Sequence, residues 1–405
     1  MTRYRFTMEQ IRRNPREAPL AIATGNSLKK AMDASQSLYL RTATFVTILL
    51  PVCSASLSVQ AAETGINEEI TFTNGRVTLA GTLTLPPCPG RHPAVFLVSG
   101  SGPQDRDGAT GAIPGYRPFA AVAKHLATNG IAVLRYDDRG VGESSGNYGA
   151  ATEPDFVNDA RAALEFLLAR SDIDAKRVGI VGQSEGGMIA AMVAAADSRP
   201  AFVISLAGPA VKGDELLLRQ AERAAQAEGM SPSMVAEVAR EQRRILELAL
   251  EKNWKELKAV VHAATLRRLD TLPEEKKALI GDIEAFAARK AAQSLRTFQH
   301  PRYQFILAHD TAEDWAKVKV PVLAVFGELD VQCDAAQNAA GLRQALARGG
   351  NEDLMIKVIP SANHLLVKAK TGSMREYTTL PKDLAPGLLE IITEWVKATA
   401  RSIGN

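Results

Sequence analysis

The sequence predicts an α/β protein, a mostly parallel central sheet flanked by helices and broken once by a helical insertion. Three observations predict it. Short apolar runs rich in β-branched residues alternate with stretches of helical spacing, which implies parallel strands joined by right-handed crossovers. That alternation stops near Pro209 and resumes after residue 315. One strand-to-helix corner carries a serine between glycines, "GQSEGG" at 182–187.

The elements follow in order. "EEITFTNGRVTLAGTLTLPP" (68–87) alternates apolar and polar residues around Asn74-Gly75, a strong hairpin signal. "PAVFLVSG" (93–100) is a continuous apolar run, as expected of a strand covered on both faces. A helix is expected over 116–129, a strand over 130–137 and a helix over 155–171. Strand 177–182, helix 184–196 and strand 201–207 repeat the pattern. Residues 211–315 are charged, Ala-rich and helical, without sustained heptads, so a coiled coil is the weakest reading of them. Strand 318–330, helix 335–347, strand 353–364 and helix 384–399 complete the sheet grammar. Because strands resume, the helical block is an insertion. The expected division is a leader over 1–61, a core over 62–210 and 316–405, and the insertion over 211–315.

Composition narrows the function classes. The chain of 405 residues is 46% hydrophobic and 23% charged, with ample material for a core. Its net charge of +3 is concentrated in the first 61 residues, which hold eight Lys/Arg against three Asp/Glu and leave 40 against 42 elsewhere. A near-neutral body offers no concentrated basic face for nucleic acid. The leader segment "TATFVTILLPVCSASLSVQAAE" is apolar and ends in small residues, and Val59-Gln60-Ala61 fits a signal-peptide cleavage site. Pro51 and several serines make it a poor membrane span, Val52 makes Cys53 a poor lipidation site, and Met32 is an alternative start. Export is therefore expected, to the periplasm or the medium. It would leave Cys88 and Cys333 in an oxidising compartment, but two cysteines carry no framework signal. CxxC, HExxH and EF-hand patterns are absent, so neither a metal nor a cofactor is expected.

The serine corner carries the chemistry. Gly182-Gln183-Ser184-Glu185-Gly186 matches G-x-S-x-G between an expected strand and an expected helix, the setting of a nucleophile elbow. The pattern alone arises by chance in about one chain in seven of this size. The context is what makes it specific. At so sharp a turn the neighbouring chain runs close, and a Cβ at either flanking glycine would clash. A serine nucleophile needs a base and an acid to orient it, in chain order Ser, acid, His on such a sheet. His92 and His125 precede the serine, whereas His262, His300 and His309 fall in the insertion. Only His364, in "VIPSANH", follows a late strand. Asp330 ends the strand "VPVLAVFGELD" and is the favoured acid, with Asp334 its rival and Glu328 third. The oxyanion donors expected are the N–H groups of Glu185 and of Ser101, in Ser99-Gly100-Ser101-Gly102 after the strand "AVFLVSG".

These stretches, with "GSGPQDRDG" (100–108), "YDDRGVGESSG" (136–146), "VPVLAVFGELDVQ" (320–332) and "ANH" (362–364), resemble the α/β-hydrolase superfamily. They look most like a bacterial esterase branch related to serine-aminopeptidase-like hydrolases, over residues 68 to 400. The resemblance implies an α/β-hydrolase fold, a Ser184–His364–Asp330 triad, Ser101 and Glu185 as oxyanion residues, and 211–315 as a cap. Two positions depart from it: Ser99-Gly100 stands for the more usual His-Gly, and Gln183 for the His that often precedes the nucleophile. "DDRGVGESSG" has the wrong spacing for a dinucleotide fingerprint and opens no helix. Asp105-Arg106-Asp107 is read as a loop-fixing ion network before a substrate contact. Trp254, Phe286, Phe298, Tyr303, Phe305 and Trp315 are candidates to line an acyl pocket. The expected activity is hydrolysis of small carboxylic esters, of short to medium acyl chain, through an acyl-enzyme. A peptidase or thioesterase using the same triad is the alternative; an aminopeptidase would need an acidic subsite such as Glu222 or Glu228. A non-catalytic binding protein would be expected to lack one of the three residues.

Overall fold

The computed structural model describes residues 65–109 and 113–404. The leader expected over 1–61, with its signal peptide, lies outside the described residues.

An antiparallel hairpin opens the sheet. β1 (Ile66–Asn74) and β2 (Val77–Leu85) pair through all nine residues, and Gly75 takes the positive φ of 58° that the turn requires. Then β3 (His92–Val98), β4 (Ala132–Tyr136), β5 (Ile173–Gln183), β6 (Val203–Leu206), β7 (Val322–Gly327) and β8 (Leu354–Ile359) complete eight strands in the order β1-β2-β4-β3-β5-β6-β7-β8. The β1–β2 and β2–β4 pairings are antiparallel and all the others parallel.

Helices cover both faces. Along β3 the side chains alternate: Phe96 and Val98 join one buried cluster, while Val95 and Leu97 join the other. The first cluster is closed by α2 (Glu153–Leu168) and α3 (Glu185–Ala196), through Phe156, Leu164 and Ile189. The second is closed by α1 (Pro118–Thr128), through Phe119 and Leu126, and by Ile392 and Trp395 near the C-terminus. Burial of each such side chain contributes about 1.5–3 kcal/mol. β3, covered on both faces, therefore reads as an unbroken apolar run.

Seven helices fill the gap between β6 and β7: α4 (Gly213–Ala227), α5 (Pro232–Leu250), α6 (Trp254–Asp270), α7 (Glu274–Ile280), α8 (Ile283–Gln299), α9 (Pro301–Ala308) and α10 (Thr311–Trp315). They have their own core around Leu248, Leu257, Phe298 and Leu307. Their two ends are stitched together, with Gly213 N–H donating to His309 O at 2.9 Å. The described residues, insertion included, fall in one compact unit. After β7 come α11 (Ala335–Arg348), β8 and the terminal α12 (Leu388–Gly404). Several strands are shorter than their apolar patterns: β7 covers 322–327 of the expected 318–330, because Val318 packs as a buried loop residue and Glu328–Asp330 turn away at the sheet edge. No helix among the described residues is long and apolar enough to cross a membrane.

Candidate active site

β5 runs straight into α3, and Ser184 is the residue between them. Its φ of 56° and ψ of −122° are unusual for a residue with a side chain, so the corner holds a strained backbone. The flanking glycines make the corner buildable. A Cβ on Gly182 would sit 2.0 Å from Gly186 O, and one on Gly186 would sit 2.2 Å from Val98 O. The loop after β3 presses on the serine in the same way, since a Cβ on Gly100 would meet the Ser184 Cβ at 3.2 Å.

His364 lies five residues past β8 and is almost fully buried. Its Nδ1 is 2.9 Å from Asp330 Oδ2, and its Nε2 is 2.9 Å from Ser184 Oγ. Asp330, with 0% exposure, accepts the backbone N–H groups of Gln332 (2.7 Å) and Cys333 (2.8 Å) on its other oxygen. The carboxylate acts as acceptor throughout, which assigns the ring: Nδ1–H donates to Asp330, and Nε2 accepts from the Ser184 hydroxyl. The loops bearing these residues approach closely, because a Cβ on Gly327 would lie 2.4 Å from Ala362 O. Buried Asn363 tightens the loop beyond, its Oδ1 accepting Leu365 N–H at 3.0 Å.

The rival acids are occupied elsewhere. Asp334 caps α11 by accepting Gln337 N–H at 2.9 Å and pairs with Arg223 of α4 at 2.9 Å. Glu328 accepts Ser361 N–H at 2.8 Å and so fixes the start of the histidine loop. Of the other histidines, His262 pairs with Glu284 and His309 with Asp314. His300 lies against Gly149 O at 3.1 Å and lines the cavity above the serine, a location its place in the insertion did not suggest.

Ser101 and Glu185 come together beside Ser184. Neither backbone N–H donates to another group among the described residues. Glu185 opens α3, where the helix dipole favours negative charge. The Ser101 hydroxyl donates to Glu185 Oε2 at 2.5 Å. The loop is clasped from below by Asp138, which accepts Ser99 Oγ–H at 2.6 Å and Gln104 N–H at 2.9 Å. Burial pushes the Asp138 carboxyl up to about 7, against those two hydrogen bonds. Within Asp105-Arg106-Asp107 two residues form ion pairs, Arg106 with Asp137 (2.7 Å) and Glu143 (2.5 Å) and Asp107 with Arg135, while Asp105 accepts the backbone N–H groups of Asp107 (3.0 Å) and Ala109 (3.1 Å).

Above Ser184 lies a cavity of about 860 Å³, walled mainly by apolar groups of α3, α4 and α9, with Met188, Leu216, Leu217, Ala221, Tyr303 and Ile306 among them. Its walls correct the aromatic expectation. Of the six aromatics singled out from the sequence, only Tyr303 reaches it. Phe298 packs edge-on against Tyr303 inside the insertion, Phe305 stacks on His309, and Trp315 is fully buried with its indole N–H on Pro209 O. The single carboxylate among the described lining residues is Glu185. Glu222 pairs with Arg219, and Glu228 with Arg375 and the Ser373 hydroxyl, so neither faces the cavity. Cys333 is buried at the cavity wall and Cys88 is exposed, and both are free thiols. No group of three or more metal-ligating side chains occurs among the described residues.

A family described as "Serine aminopeptidase, S33" matches residues 109–370, which is most of the chain. Esterase EstD of Thermotoga maritima is 28% identical over 296 residues, covering 73% of this chain and 60% of that protein. The chain thus spans about 60% of the length of that relative. Among solved structures, the α/β hydrolase GrgF from a Penicillium species aligns with a TM-score of 0.49 at 18% identity, over 84% of this chain and 100% of that one. The Pyrococcus furiosus esterase Pf2001 aligns with a TM-score of 0.48 at 14% identity, over 84% and 91%. With its eight-stranded, mostly parallel sheet and a family match across both halves of the core, the chain belongs to the serine aminopeptidase, S33, family of α/β-hydrolases.

Proposed function

We propose that the protein is a serine esterase that cleaves carboxylic esters through an acyl-enzyme. One observation carries the reading: His364 stands 2.9 Å from both Asp330 and Ser184 beneath a mainly apolar cavity. Ser184 Oγ attacks the ester carbonyl carbon while His364 Nε2 takes its proton. Asp330 steadies the imidazolium without taking the proton itself. The oxyanion forms between the N–H groups of Ser101 and Glu185, where one donor is worth about 3–4 kcal/mol in the transition state. Collapse expels the alcohol, which leaves with the proton from His364. Water then repeats the sequence on the acyl-serine and releases the acid.

The helices over 211–315 act in this reading as a cap that shapes the acyl pocket. The cavity volume suits a drug-sized ligand, so within the short-to-medium range expected from sequence it favours esters with an apolar part well beyond acetyl. The family description favours a peptidase reading. An aminopeptidase requires a carboxylate free to meet the substrate amine, and Glu185 is held by Ser101 and Arg302. Ester cleavage therefore ranks first. Ser184→Ala should abolish hydrolysis of p-nitrophenyl butyrate in the full chain, with a loss in kcat of about 10⁶-fold. Parallel assays on aminoacyl-nitroanilides and acyl-CoA should give far lower kcat/KM; a preference for either would replace the ester reading. Export by the leader segment belongs to the same proposal, and a secreted chain beginning at Ala62 would support it.

A further inference from the structure

Arg302 has no place in the reaction as written, and its surroundings are unusual. It is the second residue of α9, next to Pro301, where a cation opposes the helix dipole. The side chain leaves the insertion and enters the core, where only 12% of it is exposed. Its guanidinium lies over two rings that pack against each other, 4.8 Å from the centre of Tyr148 and 4.5 Å from that of Phe156. Its Nε donates to Glu153, a carboxylate with 0% exposure, at 2.9 Å. Its Nη2 donates to Glu185 Oε1.

Glu185 joins this arginine to the chemistry. One carboxylate oxygen takes Arg302 and the other takes the Ser101 hydroxyl. The two residues whose amides flank the reacting carbonyl are therefore tied together through a side chain that the insertion holds. Ser99, Gly100, Asp138, Asp159, Glu185 and Arg302 also line one small internal cavity of about 10 Å³, and Arg302 is the charged partner of both Glu153 and Glu185. Without that cation Glu153 and Glu185 would be buried with no counter-charge, and such groups move, take up protons or admit water.

We propose that Arg302 is a positioning residue for acyl transfer: from the insertion it fixes the Glu185 carboxylate, which draws the Ser101 loop against the nucleophile turn and aligns both oxyanion donors. This rests on the reading of Ser184 as nucleophile. It makes the catalytic geometry conditional on the seating of the insertion, since the same residue that completes the donor pair anchors α9 to the core.

The test compares the full-length wild type with Arg302→Met, which keeps the stem, and Arg302→Lys, which keeps the charge but cannot fork between two carboxylates. Fluorophosphonate titration counts competent sites, so kcat is expressed per labelled Ser184. Arg302→Met should lose about 100-fold in kcat, the scale of a small misalignment of reacting groups, with KM little changed. Affinity for an aryl trifluoromethyl ketone, whose adduct places an oxyanion between the donors, should fall in proportion to kcat/KM. Arg302→Lys should lie between the two, and if Arg302→Met does not fold the lysine variant carries the test. A folded variant with wild-type kcat per site and unchanged ketone affinity would overturn the positioning role and leave the nucleophile intact. A wild type that the probe does not label would overturn the nucleophile reading, and the positioning role with it.

Discussion

Ser184 and His364 were legible from sequence because each is fixed by more than its identity. The serine sits at a corner that two glycines alone make possible, and the histidine is the one that follows a late strand. The acid was harder, because Glu328, Asp330 and Asp334 fall within seven residues and a turn can aim any of them inward. Only coordinates reveal that Asp330 faces the ring while Asp334 faces Arg223. Their substitutions should therefore part company. Asp330→Asn should cost about 10⁴ in kcat, as when an orienting carboxylate is neutralised. Asp334→Asn should leave kcat within several-fold of wild type and lower the unfolding midpoint instead, through the lost ion pair with Arg223. Equal losses of kcat in the two variants would contradict the assignment. Arg302 escaped sequence reading altogether, since one arginine in a charged helical block carries no local signal.

At the level of elements, alternation of strands and helices located every strand among the described residues, and the ends were set by turns that apolar patterning does not encode. The insertion was recognisable as helical but not its inner face. Phe298 packs among its own helices and Trp315 against the sheet, and apart from Tyr303 the insertion's share of the cavity wall is mainly aliphatic residues of α4 and α9. A bulky residue there should shorten the cavity. Ala221→Trp should lower kcat/KM for p-nitrophenyl octanoate much more than for the acetate; an equal change for both would mean that the acyl chain lies elsewhere. The contact that closes the two ends of the insertion on each other is equally specific. A Cβ on Gly213 would fall 1.7 Å from Ile306 O, a backbone atom that cannot rotate away. Gly213→Ala should destabilise the fold by about 1–3 kcal/mol in chemical denaturation. No change in stability would show that the two ends of the insertion are not in firm contact.

Over the whole molecule, the buried carboxylates beneath the site link stability to pH. Burial pushes Glu153 from 4.5, and Asp138 from 3.8, up to about 7 in each case, with the Glu185 carboxylate adding to the rise. Between those values the folded chain keeps protons that the unfolded chain releases. Stability contributed by these groups is therefore full below about 4 and is lost as pH rises through about 7. Asp137 and Asp172 act in the opposite sense. Arginine partners and hydrogen bonds hold them below their usual range, so what they contribute fades as pH falls. The informative quantity is thus a difference. Relative to wild type, Glu153→Gln should gain stability as pH rises from 5 to 8, and a difference that does not vary with pH would remove this linkage.

The reactivity of Ser184 is the most direct test of all that has been built on it. The full chain would be treated with a fluorophosphonate and the adduct located by peptide mass mapping. The expected result is one adduct per chain on Ser184, abolished in His364→Ala while that variant keeps its fold. A folded wild type that remains unlabelled, or is labelled at another serine, would contradict a nucleophile at this corner.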